Sequence, residues 1–176
     1  MIRTPQMDWH WCFNTAQDKL VLADDADTVL TSAYSSKQLI VKPGFNEAFN
    51  LAQSEAYHEL ADIVSQCVKN VPEPVLFQIV VHAIAANTFH KSVANKSWLF
   101  IPADAALHTT PLVFLHSQTD RGLALVLEKS AGFATLLLLS AALAVPEQKS
   151  FARYHVIKTN INTLNSAVGD DLITYL

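Results

Sequence analysis

Glycine is scarce in this 176-residue chain, with only Gly44, Gly122, Gly132 and Gly169, each isolated from the others. A phosphate-cradling loop or a dinucleotide fingerprint needs several glycines within a few residues, because backbone amides must approach the phosphates with no Cβ in the way. Neither can be built here. Cysteine is scarcer still, with Cys12 and Cys67 alone. They form no closely spaced zinc pair, and nothing marks a disulfide-stapled secreted scaffold. No serine sits in a nucleophile elbow and no His-Glu-x-x-His occurs. Charge is also sparse: 16% of residues are charged and the formal net charge is −4. Long-range attraction to nucleic-acid phosphates or anionic lipid is therefore not expected. The most apolar stretches, 75–86 and 133–145, fall short of the roughly 18 apolar residues that a membrane-spanning helix needs. The first eight residues have no apolar core of a signal peptide. The expectation is a cytoplasmic chain with reduced thiols, no membrane insertion and no cofactor.

What is abundant is apolar side chain, 51% of the sequence, enough to build a sizeable core. Residues 9–13 and 19–22 are dense in strand formers and are separated by the polar stretch 14–18, which reads as a β-hairpin. Asp24, Asp25 and Asp27 mark a turn, and 28–31 a third short strand. After the Pro43-Gly44 break, Ser54 has the chemistry of an N-cap, and Ala56, Tyr57, Leu60, Ile63, Val64, Cys67 and Val68 recur at helical spacing, predicting a helix over 54–69. A second helix is predicted over 73–90, with Pro74 in its first turn. It is apolar on nearly every side, interrupted by Gln78 and His82, which is the pattern of a buried central helix.

Beyond the polar connector 90–96 the pattern changes to period two. Strands are expected at 98–101, 111–116, 123–128 and 151–161, with turns at 117–122 and 129–132. Four consecutive leucines in 133–145 favour a helix taken alone, whereas the hairpin signals on either side favour two strands. The fold class is thus α+β. A domain of meander plus two helices spans 1–95, and a β-rich domain spans 96–176.

Candidate catalytic groups are few. His10 and Cys12 share one face of a strand, but a metal site needs His58, Cys67 or His82 to converge on them. His58 and Glu59 are adjacent on a helix and do not face each other. Gln78 and His82 read as core polar groups hydrogen-bonded to their neighbours. A metal-dependent or histidine-based hydrolase would require these side chains to meet in one cleft. The connector instead suggests binding: Lys91 and Lys96 flank it in an acidic chain, with Trp98 beside Lys96. Lys91 also suits the carbonyl end of a helix on its own account. A β-barrel module that binds another protein or an apolar ligand is a further reading.

The order of Trp9-x-Trp11, Asp18 to Leu22, Pro43-Gly44-Phe45, a helix ending near Lys91, and Lys96-Ser97-Trp98-x-Phe100, with a weaker echo at Val156-Ile157-Lys158, resembles the ZapC family of Z-ring-associated proteins. The resemblance implies an N-terminal α/β domain and a C-terminal twisted β-barrel-like domain, and decides the leucine run in favour of strands. It implies a monomeric, non-enzymatic division factor. Such a factor binds FtsZ, bundles its polymers, restrains their GTP hydrolysis and gathers at the mid-cell septum. The binding positions it implies are the apolar Leu22 and the basic Lys91 and Lys96. An apolar pocket and a basic patch would then meet an acidic filament surface. Four departures stand out. The segment 31–36 lacks the family's arginines, Asn95 replaces a proline, and the leucine-rich hairpin and the tail Gly169-Asp170-Asp171 differ.

Overall fold

A computed structural model describes residues 3–103, 110–169 and 171–176. The chain divides into two compact units, Met1–Asp62 with Pro72–Ser92, and Ile63–Val71 with Val93–Leu176.

The first unit holds an antiparallel sheet of β1 (His10–Asn14), β2 (Lys19–Ala23), β3 (Thr28–Thr31) and β4 (Asn46–Ala48), in the order β3-β2-β1-β4. The first three strands are the expected meander. Its turns are fixed by short polar side chains that accept their own backbone amides. Asn14 Oδ1 takes the Gln17 N–H at 3.1 Å, and Asp24 Oδ1 takes those of Ala26 and Asp27 at 2.9 and 2.8 Å. These amide bonds, from Asp27 first and Ala26 second, hold the Asp24 carboxyl below its ordinary range. β4 was not anticipated: Asn46-Glu47-Ala48 has little strand propensity and is exposed throughout, and its place comes from pairing with β1.

Helix α1 (Leu51–Cys67) begins three residues before the expected start. Its cap is Asn50, not Ser54. Asn50 Oδ1 accepts the Gln53 N–H at 2.9 Å, and Gln53 Oε1 accepts the Asn50 N–H at 3.1 Å, a reciprocal capping box. Helix α2 (Glu73–Phe89) starts from Pro72 and ends at His90, as the sequence pattern predicts. It is buried on most of its surface because Leu76, Phe77, Ile79, Val80, Val81, Ala83, Ile84 and Phe89 leave it no polar side. Against the sheet lie Trp9 and Trp11. Trp9 meets Phe49 and Phe77 edge-on, with centroids at 5.6 and 5.9 Å, and Trp11 meets Phe89 at 5.5 Å.

The second unit carries β5 (Leu112–His116), β6 (Arg121–Ser130), β7 (Phe133–Leu138), β8 (Ala142–Leu143), β9 (Phe151–Ala152), β10 (Val156–Asn160) and β11 (Leu164–Ser166). Five of them form an antiparallel sheet in the order β10-β7-β6-β5-β11, and β8 pairs with β9. Among the described residues β10 and β11 do not pair with each other, so the sheet order is open and no closed barrel forms. The leucine run is in strands. Ala131 and Gly132, both at positive φ, make a two-residue hairpin turn that lays β7 against the long β6. Leu136 and Leu138 then join Val113, Leu115, Ala124, Leu143, Ile157 and Leu164 in one buried cluster. Gly122 sits where a Cβ would lie 3.0 Å from Leu138 Cδ1 and 3.3 Å from Leu143 Cδ1, so a side chain there would require those leucines to shift by a few tenths of an ångström.

Two strand expectations are corrected. Residues 97–99 form a 3₁₀ turn, not a strand, because Asn95 Oδ1 accepts the Ser97 N–H at 3.0 Å and turns the chain. The segment 151–161 is not continuous: Tyr154 takes a φ of 66°, which separates β9 from β10. Asp170 of the tail lies outside the described residues.

Gln53 is the first point to test. It is buried, and besides its capping bonds its Oε1 accepts the Trp11 indole N–H at 3.1 Å. Gln53→Leu removes the cap partner and orphans a buried donor, so chemical denaturation should show a loss of about 2–4 kcal/mol. Asn50→Ala, which removes one cap acceptor, should cost only about 1 kcal/mol. Equal losses in the two variants would contradict the dual role.

Candidate protein-binding surface

In the first unit, the C-terminal end of α2 is tied to the segment that follows β3. Leu39 and His90 form an antiparallel bridge, flanked by Ile40 N–H to Phe89 O and Lys91 N–H to Gln38 O, both at 2.8 Å. The exposed Lys91 reaches back, its Nζ donating to the Lys37 carbonyl at 3.0 Å. The lysine therefore does more than neutralise its own helix end. It is held on a short ribbon closed by that single bridge, with Lys37, in a 3₁₀ turn over Ser36–Gln38, and Lys42 also exposed on the segment that carries Leu39.

Beneath the ribbon the loop 32–36 is pinned from inside. Tyr34 is buried and stands edge-on to His82 and His90, with centroids at 5.8 and 5.2 Å. His82 Nε2 accepts the Ala33 N–H at 3.1 Å, and its Nδ1 lies 2.7 Å from the Gln78 carbonyl. An accepting Nε2 requires a proton on Nδ1, so the ring is neutral and donates to Gln78. Burial holds its pKa down at about 4, against the smaller opposing effect of the Gln78 bond. His82 is thus the hydrogen-bonded core histidine that the sequence suggested.

Leu22 is 0% exposed. It pairs with Trp11 on β1 and with Leu30 on β3 and offers no surface to a partner. The exposed aliphatic side chain near Lys91 is Ile40, which sequence patterning did not single out. A lone isoleucine between two lysines carries no periodic signal, and only the backbone ribbon sets it beside Lys91.

In the second unit, Lys96 is fixed by its N–H to the Lys158 carbonyl at 2.8 Å. Its Nζ lies 6.0 Å from the ring of Trp98, which is 67% exposed. Lys158 in turn sits over Phe133 at 5.1 Å. An exposed tryptophan among cations has the make-up of an interface anchor.

The catalytic candidates lie in ordinary surroundings. His10 Nδ1 is 3.1 Å from the Asp8 carbonyl, and burial pushes the Cys12 thiol up. His58 and Glu59 are exposed on α1. Among the described residues, no three His, Cys, Asp or Glu side chains group closely enough to hold a metal ion. No described helix is long and apolar enough to cross a membrane.

Two measurements follow. Leu22→Ala empties a fully packed position and should cost about 2–5 kcal/mol in denaturant unfolding. A change near zero would mean that Leu22 is not the core residue described. For His82, both folded and unfolded chains are neutral above the ordinary pKa of 6.5; between 6.5 and about 4 only the unfolded chain gains the proton. Stability should therefore fall as pH drops through that window, by on the order of 3 kcal/mol in total. His82→Gln should flatten this part of the profile; an unchanged slope would assign it to other groups.

Comparison with known proteins gives a consistent result. Residues 2–91 match the family model described as cell-division protein ZapC, N-terminal. A protein named cell division protein ZapC from Shewanella oneidensis is 28% identical over 167 residues, which is 94% of this chain and 94% of the relative. Proteins of the same name from Aeromonas hydrophila and Idiomarina loihiensis are 27% and 31% identical, covering 92% of this chain and 90% and 89% of their own length.

Proposed function

The chain belongs to the ZapC family of cell-division proteins, and from that premise we propose that it is an accessory factor that binds FtsZ and stabilises and bundles its polymers. In this reading it restrains FtsZ GTP hydrolysis without chemistry of its own, works as a cytoplasmic monomer, and is recruited to the septum at mid-cell. The observation that carries the reading is the match to ZapC proteins over nine-tenths of the chain. The lysines fit it. Lys91 and Lys96 are each anchored by backbone bonds, which lowers the entropy lost when a charged side chain meets a partner.

Lys91 on the first unit and Lys96 on the second are assigned contacts with an acidic surface of the polymer. Rim charges of this kind steer association and suppress wrong partners more than they add raw affinity. With no arginine in 31–36, Lys37, Lys42 and Lys91 supply the positive charge of the segments joined at the end of α2. Leu22 enters this scheme as support from beneath and not by direct contact. A factor that prefers assembled FtsZ shifts the assembly equilibrium by mass action, and a longer-lived lateral contact slows the turnover that hydrolysis drives. Residues 1–95 and 96–176 are taken as the working domains, with barrel-like curvature in the second.

The test is co-sedimentation with FtsZ and GTP. Wild type should pellet with the polymer, thicken it in electron micrographs and slow phosphate release. Lys91→Glu/Lys96→Glu should weaken pelleting by at least about tenfold at physiological salt. Absence of wild-type pelleting sinks the function. Undiminished binding by the folded double variant sinks only the two contacts.

A further inference from the structure

We propose that Ile40, on the exposed segment that also carries Lys37 and Lys42 and is bridged through Leu39 to His90, next to Lys91, is the apolar anchor of the first unit's binding surface, and that it receives an apolar side chain carried on an acidic protein segment. The proposal rests on the FtsZ reading for the identity of the partner, and on the geometry for the surface itself.

Single exposed aliphatic residues are ordinary on protein surfaces. Three observations set Ile40 apart. First, it is 63% exposed while its backbone is not free, since its N–H donates to the Phe89 carbonyl at 2.8 Å. The strand on which it sits is held to the end of α2 on both sides of the Leu39–His90 bridge. A β-branched side chain on a pinned backbone loses little freedom on binding, and that is where exposed apolar area converts to affinity. Second, the following turn is braced. Phe45 N–H bonds the Lys42 carbonyl at 3.1 Å, and the Phe45 ring lies 5.2 Å from Phe89. Lys42 is thereby kept with the ribbon.

Third, the charge is one-sided. The stretches 37–42 and 89–91 contain three lysines and no carboxylate in a chain of net charge −4. The acid that feels Lys37 is Asp18, and its carboxyl is already engaged. Bonds from Ser36 are the main reason its pKa is lowered, with Lys19 and Lys37 contributing less. Asp18 keeps its charge and offsets part of that of Lys37, while Lys42 and Lys91 have no carboxylate within their own stretches. An acidic segment satisfies them, and an apolar residue within that segment covers Ile40. A nucleic-acid surface would meet the same lysines but would gain nothing from Ile40, and a lipid surface is separated from an acidic protein by the vesicle arm of the test.

Leu22 cannot supply this contact, being wholly enclosed by the sheet core. Ile40 and Leu22 are therefore separable by experiment. The full-length chain is titrated against GTP-assembled FtsZ as wild type, Ile40→Val, Ile40→Asp and Lys37→Gln/Lys42→Gln. Ile40→Val should bind within about twofold of wild type and Ile40→Asp about tenfold or more weakly. The lysine pair should lose affinity at low salt and show a shallower salt dependence than wild type. Thermal unfolding of Ile40→Asp should stay close to wild type, because the side chain is exposed. If wild type binds FtsZ and folded Ile40→Asp binds equally well, the Ile40 assignment is overturned while the FtsZ reading stands. If wild type does not bind FtsZ, the reading fails and the anchor falls with it. Anionic vesicles serve as the counter-probe, and binding to them that Ile40→Asp leaves intact, without binding to FtsZ, would replace the acidic protein partner with a lipid headgroup.

Discussion

The side chain of Gln53 joins three elements of the first unit. It closes the N-terminus of α1 through Asn50, it accepts the Trp11 indole from the middle of the sheet at 3.1 Å, and its Nε2 lies 3.5 Å from Thr88 Oγ1 on α2. A buried amide is costly unless its groups are bonded, and here the partners come from separate elements, so the arrangement holds only when all are in place. Trp11, Phe49 and Phe89 then pack around that node. α2 is consequently fixed in position as well as buried, and its C-terminal end presents Lys91 at a defined point.

Much of this architecture could be read before any coordinates. The meander and α2 follow from alternation, turn residues and apolar periodicity, whereas the leucine run reads either way from its residues and is decided by the flanking turns and the family resemblance. The misreadings share a cause. Ser54 is as good a cap residue as Asn50, and the choice fell to Asn50 because Gln53 could answer it and reach Trp11 as well. Trp98, Leu99 and Phe100 look like a strand, yet one Asx turn from Asn95 outweighs their propensity. β4 exists because β1 has a free edge, and no local pattern in Asn46-Glu47-Ala48 carries that information. In each, a specific partner overrides propensity: a tertiary one for Gln53 and for β4, and a neighbouring side chain for Ser97.

The binding surface was less legible, for a related reason. Lysines and an isoleucine scattered over 37–42 and 89–91 have no period. Their association depends on the ribbon formed by Leu39 and His90, which are far apart in sequence. Sequence resemblance supplied Leu22, Lys91 and Lys96, and the first two are the buried and exposed ends of one connected stretch of structure in the first unit.

That stretch can be followed bond by bond. Leu22 lies in β2 beside Leu20 and Val21. Leu20 O accepts the Ser32 N–H at 2.9 Å and Leu20 N–H donates to Tyr34 O at 3.0 Å, fastening the loop after β3 to β2. Tyr34 rests on His82 and His90, and Ala33 N–H bonds His82. The loop then passes to Lys37 and Gln38, whose carbonyls hold the side chain and backbone of Lys91. Leu22 lies at the β2 end of this series, and the segment 37–40 is its far end. Physical connection of this kind supplies a route and does not by itself measure the coupling. It does connect a residue with no exposed atoms to a lysine on the surface. The first packs β2 into the sheet core, and the second lies exposed at the end of α2.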